Sequence, residues 1–214
     1  MTTEEAIFEL RTYHVRPTAL EPFAELASRA AKAASRHAEL VGQWTTEPRE
    51  VGRLVELWKF IDFHHRAAAR ARIARQSVWK KFLQQGQPMI TSTESLVLLP
   101  FPEWTFSPPA HSAFYELRDH RLHPGTTGQW IEIWARGMGV RQQYSKLVGL
   151  WQSDIGELNR MISLWSYSSL QHRHEARRAA NKDPRWQETV AQLAPLMQRM
   201  EATILVPTEA SALQ

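Results

Sequence analysis

The chain has 214 residues, of which 43% are hydrophobic and 22% charged, and it contains no cysteine. Its length suits one large domain or two small ones at roughly 100–150 residues each, and the ordinary apolar-to-charged balance excludes disorder, collagen and coiled coil as the whole architecture. The missing cysteines exclude disulfides, thiolate metal sites and a thiol nucleophile, and a net charge of +4 is a weak field beside that of a dedicated nucleic-acid binder.

The start, Met1-Thr2-Thr3-Glu4-Glu5, is acidic. It lacks both the basic, apolar pattern of a signal peptide and the Arg/Ser-rich pattern of a mitochondrial presequence, so a cytoplasmic protein is expected. No apolar run approaches the roughly 20 residues of a membrane span. Ile7 to Val15 alternates and carries Tyr, Thr and Val, which predicts a strand. Pro17 ends it, and residues 18–38 are rich in Ala, Glu, Leu and Arg, which predicts a helix. Leu40 to Thr46 and Val51 to Phe60 read as two further strands. A single second helix is expected from about Asp62 to Leu83, capped by Asp62. Glu94 to Leu99 closes the series as a fourth strand.

The same series then recurs at a constant offset of 107 residues. Phe8-Glu9-Leu10-Arg11 matches Tyr115-Glu116-Leu117-Arg118, and Leu40-Val41-Gly42-Gln43-Trp44 matches Leu147-Val148-Gly149-Leu150-Trp151. Trp58, His65, Arg66, Arg70 and Trp79 match Trp165, His172, Arg173, Arg177 and Trp186. About 24 identities fall in about 93 gap-free positions, so the chain is an internal duplication. Residues 1–100 and 113–214 form its two domains. Residues 101–112, rich in proline and aromatics and including Trp104, read as an ordered connector.

Each copy has the order βαββαβ, the ferredoxin-like pattern. The fold class is therefore α+β, with two tandem ferredoxin-like repeats closing on each other as a pseudo-dimeric α/β barrel. Period-2 arithmetic divides the third strand into a Val51/Val55/Leu57 side, expected to pack on the helices, and a Leu54/Glu56/Trp58/Phe60 side, expected to face a cavity between the halves.

Several motifs of the second copy carry a family resemblance: Tyr115-Glu116-Leu117-Arg118, Pro124-Gly125, Lys146-Leu147-Val148-Gly149-Leu150-Trp151, Gly156-Glu157-Leu158-Asn159, Leu164-Trp165-Ser166-Tyr167-Ser168-Ser169-Leu170 and Asp183-Pro184-Arg185-Trp186. Together they resemble the NIPSNAP family. The first copy matches less well, with Ser77-Val78-Trp79 where the second has Asp-Pro-Arg-Trp. The resemblance implies the dimeric α/β-barrel fold, shared with small antibiotic-biosynthesis monooxygenases and haem-degrading enzymes. It implies no single chemistry.

The candidate catalytic face consists of Glu9, Arg11 and Tyr13 on the first strand, with Glu116, Arg118 and His120 as their counterparts. A carboxylate beside a guanidinium can orient an anionic or carbonyl substrate or act as a base, or it can be a structural ion pair. Trp58, Phe60, Asn159, Ser163, Trp165 and Tyr167 are the candidate ligand-binding residues. Arg66, Arg70, His172, Arg173 and Arg177 are candidates for anion binding, or for bridges to Glu94 and Glu201 that clamp helix to sheet. The histidine spacings do not suit a helical metal site, which needs i,i+3 or i,i+4. No cofactor is expected; haem on His65 or His172 is a minor alternative.

The expected function is binding of a small, partly apolar molecule in a barrel cavity, with or without metal-free chemistry of the oxygenase, isomerase or decarboxylase type. The alternative is a non-catalytic interaction or carrier protein. The expected partner is a small-molecule ligand, without nucleic acid or a membrane span, and a homodimer of the whole unit is a further assembly.

Overall fold

A computed structural model describes residues 6–48, 52–101 and 112–213. The first repeat runs β1 (Ile7–Val15), α1 (Leu20–Ala34), β2 (Glu39–Glu47), β3 (Arg53–Phe60), α2 (Phe63–Arg75), α3 (Ser77–Gly86) and β4 (Ile90–Pro100). The second runs β5 (Phe114–Leu122), α4 (Thr127–Arg141), β6 (Lys146–Ile155), β7 (Arg160–Tyr167), α5 (Leu170–Lys182), α6 (Pro184–Leu193) and β8 (Met197–Pro207). Most of the connector lies outside the described residues, Trp104 among them, as does Val51.

The single helix expected over 62–83 is two helices. Gln76 breaks it with extended backbone (φ −72°, ψ 138°), and Asp183 does the same in the second repeat (φ −73°, ψ 118°). There the reason is local: the Asp183 carboxylate accepts from the Arg185 amide at 2.9 Å, and Pro184 occupies the first helical position. The caps at the start of the preceding helices match one another. The Asp62 carboxylate accepts from the His65 amide at 2.6 Å and the Ser169 hydroxyl from the His172 amide at 3.0 Å.

The strands close into one barrel in the order β1-β3-β2-β8-β5-β7-β6-β4. Within each repeat they are antiparallel, and each repeat's last strand pairs with the other repeat's second, β4 with β6 and β8 with β2. The duplication therefore builds within one chain the barrel that two single-repeat chains would form as a dimer.

Trp44, Trp151, Phe8, Tyr115, Val55 and Leu57 share one buried cluster inside the barrel, drawn from both repeats. Gly42 and Gly149 make room for the two indoles: a Cβ at either position would lie within 2.4 Å of the Trp44 or Trp151 ring. Both glycines sit at β-bulges.

The interior is thus packed with side chains, and the two faces of β3 are the reverse of the expectation. Val55 and Leu57 point into the barrel. Trp58 and Phe60 point outward and pack on Ala31 and Ala34 of α1 and on Ala69 and Ile73 of α2. The physical reason is that both faces of these strands are buried, so period-2 alternation separates two faces without saying which is inner. The helix layer of each repeat, rather than the space between the halves, is where the aromatic face and its charged neighbours meet.

Candidate functional site

Ile7, Glu9, Arg11 and Tyr13 lie on the outward face of β1, in register with the outward face of β3: Glu9 stands opposite Trp58 and Arg11 opposite Glu56. The α2 helix crosses this face and brings Arg66 and Arg70 onto Glu9, which is fully buried. Arg66 Nε donates to Glu9 Oε2 at 2.9 Å, the Ser95 hydroxyl donates to Oε1 at 2.6 Å, and Arg70 Nη2 donates to the same oxygen. Arg11 Nε comes within 3.3 Å.

The second repeat repeats the cluster around Glu116. Arg118 Nε donates at 3.1 Å, Arg173 Nε at 2.9 Å and Arg177 Nη1 at 2.7 Å. The α-helical arginines thus clamp helix to sheet through Glu9 and Glu116, and not through Glu94 and Glu201 as the sequence suggested. Glu94 instead pairs with His14 and Glu201 with Arg199. Glu94 and Glu201 stand opposite Thr12 and Asp119 in the ladders, on the other face of the sheet from Arg11 and Arg118, and so point away from α2 and α5.

Burial pushes both buried carboxyls up, but the guanidiniums outweigh it. Glu9 is held below the usual carboxylate range by the Arg66 hydrogen bond, the Arg11 charge and the Ser95 hydrogen bond. Glu116 is held down to about 2 by the Arg118 charge and the Arg173 and Arg118 hydrogen bonds. A carboxylate held in its charged form with its oxygens engaged is a poor proton acceptor.

Tyr13 and His120 continue the same face but bury themselves among helix-layer aromatics. The Tyr13 ring centre is 5.5 Å from Phe23, and burial foremost pushes its hydroxyl above the usual range. His120 packs 5.3 Å from Trp130, and its Nδ1 is 3.2 Å from the Met161 carbonyl oxygen. Burial and then the Arg118 charge lower its pKa to about 4, which keeps the ring neutral near pH 7.

The remaining candidates are placed as follows. Asn159 lies in the turn before β7 with φ +58°, and its carbonyl accepts from Leu122 N at 2.8 Å. Gly52 does the same for Val15, with φ +56°. Ser163 is buried and accepts from Trp165 Nε1 at 3.0 Å. His65 Nδ1 accepts from Ile61 N and His172 Nδ1 from Ser168 N, so both rings close helix starts. Among the described residues no three His, Asp or Glu side chains converge as a metal site.

Between the sheet and the helices of the first repeat lies a cavity of about 240 Å³. Its apolar walls are Ala34, Trp58, Phe60, Ile73, Ala74 and Trp79, and Arg11 and Arg70 give it a charged wall. Arg11 and Arg70 each keep a buried Nε without a hydrogen-bond partner. Both also pair with Glu9, and Arg11 faces the buried Glu56, so these Nε groups are free donors on charges that are already partnered. Behind the wall, buried Glu56 accepts from Trp58 Nε1 at 2.9 Å and from Gln43 Nε2 at 2.8 Å, and Gln43 Oε1 accepts from Ser28 at 2.7 Å. A larger groove of about 490 Å³ runs between α1 and β8, but Glu21, Glu25, Arg29 and Lys32 line it with charges of both signs and it has no aromatic wall.

In the second repeat the corresponding space is filled. The first repeat's helix layer divides into two buried clusters, one around Trp58 and one around Phe23. The second repeat's is a single cluster holding Trp130, Trp134, Met138, Trp165, Tyr167 and Trp186. Ala27, Ala31 and Ala34 on one face of α1 correspond to Trp134, Met138 and Arg141 on α4. Ala34, Ile73, Ala74 and Trp79 were not singled out from the sequence. The signal was there, in three alanines of one copy aligned with three large residues of the other.

A family model described as NIPSNAP matches residues 8–108 and again 115–212. The chain belongs to the NIPSNAP family. The NIPSNAP repeats align at full length with curated relatives. NipSnap of Drosophila melanogaster is 30% identical over 221 residues, covering 100% of this chain and 81% of that protein. Human NipSnap homolog 2 is 30% identical over 214 residues, covering 97% of this chain and 75% of that one. Among solved structures, one described as an anthrone oxidase-like protein superposes with a TM-score of 0.69 at 10% identity, covering 98% of this chain and 94% of its own. At that identity the likeness shows the fold alone, a closed α/β barrel made of ferredoxin-like units. Among the described residues, no helix of this NIPSNAP chain is long and apolar enough to cross a membrane.

Proposed function

We propose that the first repeat binds a small molecule with a flat apolar body and an anionic group, such as an aromatic carboxylate, in the cavity between its sheet and its helices. One observation carries this reading. A space of about 240 Å³, walled by Trp58, Phe60 and Trp79, is bordered by two arginines, Arg11 and Arg70. Apolar walls supply most of the affinity of such a site, and a few placed charges fix orientation.

Binding is favoured over base chemistry at Glu9, whose oxygens are already taken by Arg66, Arg70 and Ser95. The oxidase-like name of the structural neighbour is compatible with a flat aromatic ligand, but the reading rests on the cavity and its arginines.

The test is calorimetric titration with naphthoate and with its neutral alcohol analogue. Naphthoate is expected to bind in preference to the alcohol, and Arg11→Met to weaken it at least tenfold. No binding, or equal binding of both compounds to both proteins, would overturn the reading.

A further inference from the structure

Ala34 and Arg141 occupy the same place, the last residue of α1 and the last residue of α4, two helices of equal length. Around them the two repeats differ at linked positions. Arg141 is 1% exposed. Its guanidinium carbon lies 4.7 Å from the centre of the Trp165 ring and 5.9 Å from that of Trp186. Its nitrogens donate to the Ser145 hydroxyl at 2.9 Å and to the Tyr167 hydroxyl at 3.5 Å.

Trp165 and Trp186 are the counterparts of Trp58 and Trp79, which wall the first repeat's cavity, and Tyr167 is the counterpart of Phe60. The three residues that make the guanidinium slot in the second repeat, Arg141, Ser145 and Tyr167, are thus Ala34, Ala38 and Phe60 in the first. The first repeat lacks the cation together with both of its oxygen partners, while it shares the two indoles.

We infer that the second repeat carries the same site in closed form, with Arg141 as its built-in occupant, so that each chain takes one ligand and takes it in the first repeat. The second repeat also indicates the pose: a flat group seated between the two tryptophans. In the first repeat that slot has no hydroxyls and is apolar, so it suits an uncharged ring, with the ligand's anionic group turned toward Arg11 and Arg70. A free guanidinium there would meet those two arginines, and none of the side chains lining the cavity offers it an oxygen. Arg141 tolerates the equivalent neighbours because it is tethered and is hydrogen-bonded to two hydroxyls. As to ligand class, the inference rests on the proposed reading of the first-repeat cavity; as to Arg141 itself, it does not.

The experiment compares three full-length proteins: the natural chain, Arg141→Ala, and a transplant carrying Ala34→Arg, Ala38→Ser and Phe60→Tyr. Each is titrated with naphthoate by calorimetry, and each is melted with and without millimolar methylguanidinium. One naphthoate is expected on the natural chain, a second on Arg141→Ala, and none on the transplant. Methylguanidinium is expected to raise the melting temperature of Arg141→Ala by several degrees and to leave the natural chain unchanged.

The inference is overturned if Arg141→Ala still takes one naphthoate and does not respond to methylguanidinium, or if the transplant binds naphthoate as the natural chain does. Should Arg141→Ala fail to fold, the transplant decides alone. If the natural chain binds no naphthoate while methylguanidinium stabilises Arg141→Ala, the closed site stands and the ligand reading of the first repeat falls.

Discussion

The two repeats share a topology, a Glu-Arg cluster and paired tryptophans, yet their helix layers are built differently. In the first, α1 presents three alanines on one face, Ala34 borders a cavity over Trp58 and Phe60, and the buried residues split into two clusters. In the second, Trp134, Met138 and Arg141 cover that face and the buried residues merge into one cluster. Duplication lets one copy keep a ligand-sized space while the other takes over packing. A pair of identical chains could not divide the roles in this way.

The largest expected effect separates the two tryptophans. Trp165→Ala should destabilise the protein by about 4 kcal/mol, because it empties a filled layer. Trp58→Ala should cost at least ~1 kcal/mol less, because one side of that indole already borders open space. Denaturant unfolding of both variants measures the difference, and equal losses would contradict the contrast between the layers.

Removing a buried carboxylate strands the guanidiniums around it. Glu116→Gln should cost about 3 kcal/mol, measured in the same way, and Glu9→Gln should behave similarly. This similarity marks the clusters as the conserved scaffold of both repeats and the cavity as what differs between them.

Acidification should expose the second repeat first. His120, Glu116 and Asp183 there have folded-state pKa values below their ordinary ones, so the unfolded chain binds more protons and stability falls as pH falls. His120 contributes stability that is lost between about pH 6.5 and 4, and Glu116 stability that is lost between about pH 4.5 and 2. Each is worth up to about 3 kcal/mol at a shift of this size. His120→Phe should flatten the upper part of a stability-against-pH curve and leave the lower part in place. An unchanged curve would remove His120 from the account.

The smallest effect on stability should come from filling the cavity. Ala34→Leu should change stability by no more than about 1 kcal/mol while weakening naphthoate at least tenfold. A tenfold loss accompanied by a collapse of the melting transition would instead mean that α1 cannot accept the larger side chain.

The repeat, the succession of strands along each copy and the family were legible because they rest on identities at a fixed offset and on alternation, both of which are read directly along the chain. Which face of β3 is inner was not legible, because a strand buried on both sides offers two apolar faces, and Leu57 or Trp58 serves equally well as a core residue. That ambiguity also hid the partners of Arg66 and Arg70: once Trp58 faces the helices, its register partner Glu9 does too. The helix break was written in Asp183-Pro184, a cap followed by a helix-opening proline, and only the weaker Gln76-Ser77 of the first copy concealed it. The cavity itself was legible only as a difference, Ala34 against Arg141, and it takes the fold to show that this difference stands over Trp58 and Trp79.

The most direct test is a crystal structure of the natural chain grown with naphthoate. One naphthoate is expected, its rings between Trp58 and Trp79 and its carboxylate toward Arg11 and Arg70, with Arg141 still seated between Trp165 and Trp186. Naphthoate inside the barrel or in the second repeat, or an empty first-repeat cavity at saturating concentration, would contradict it.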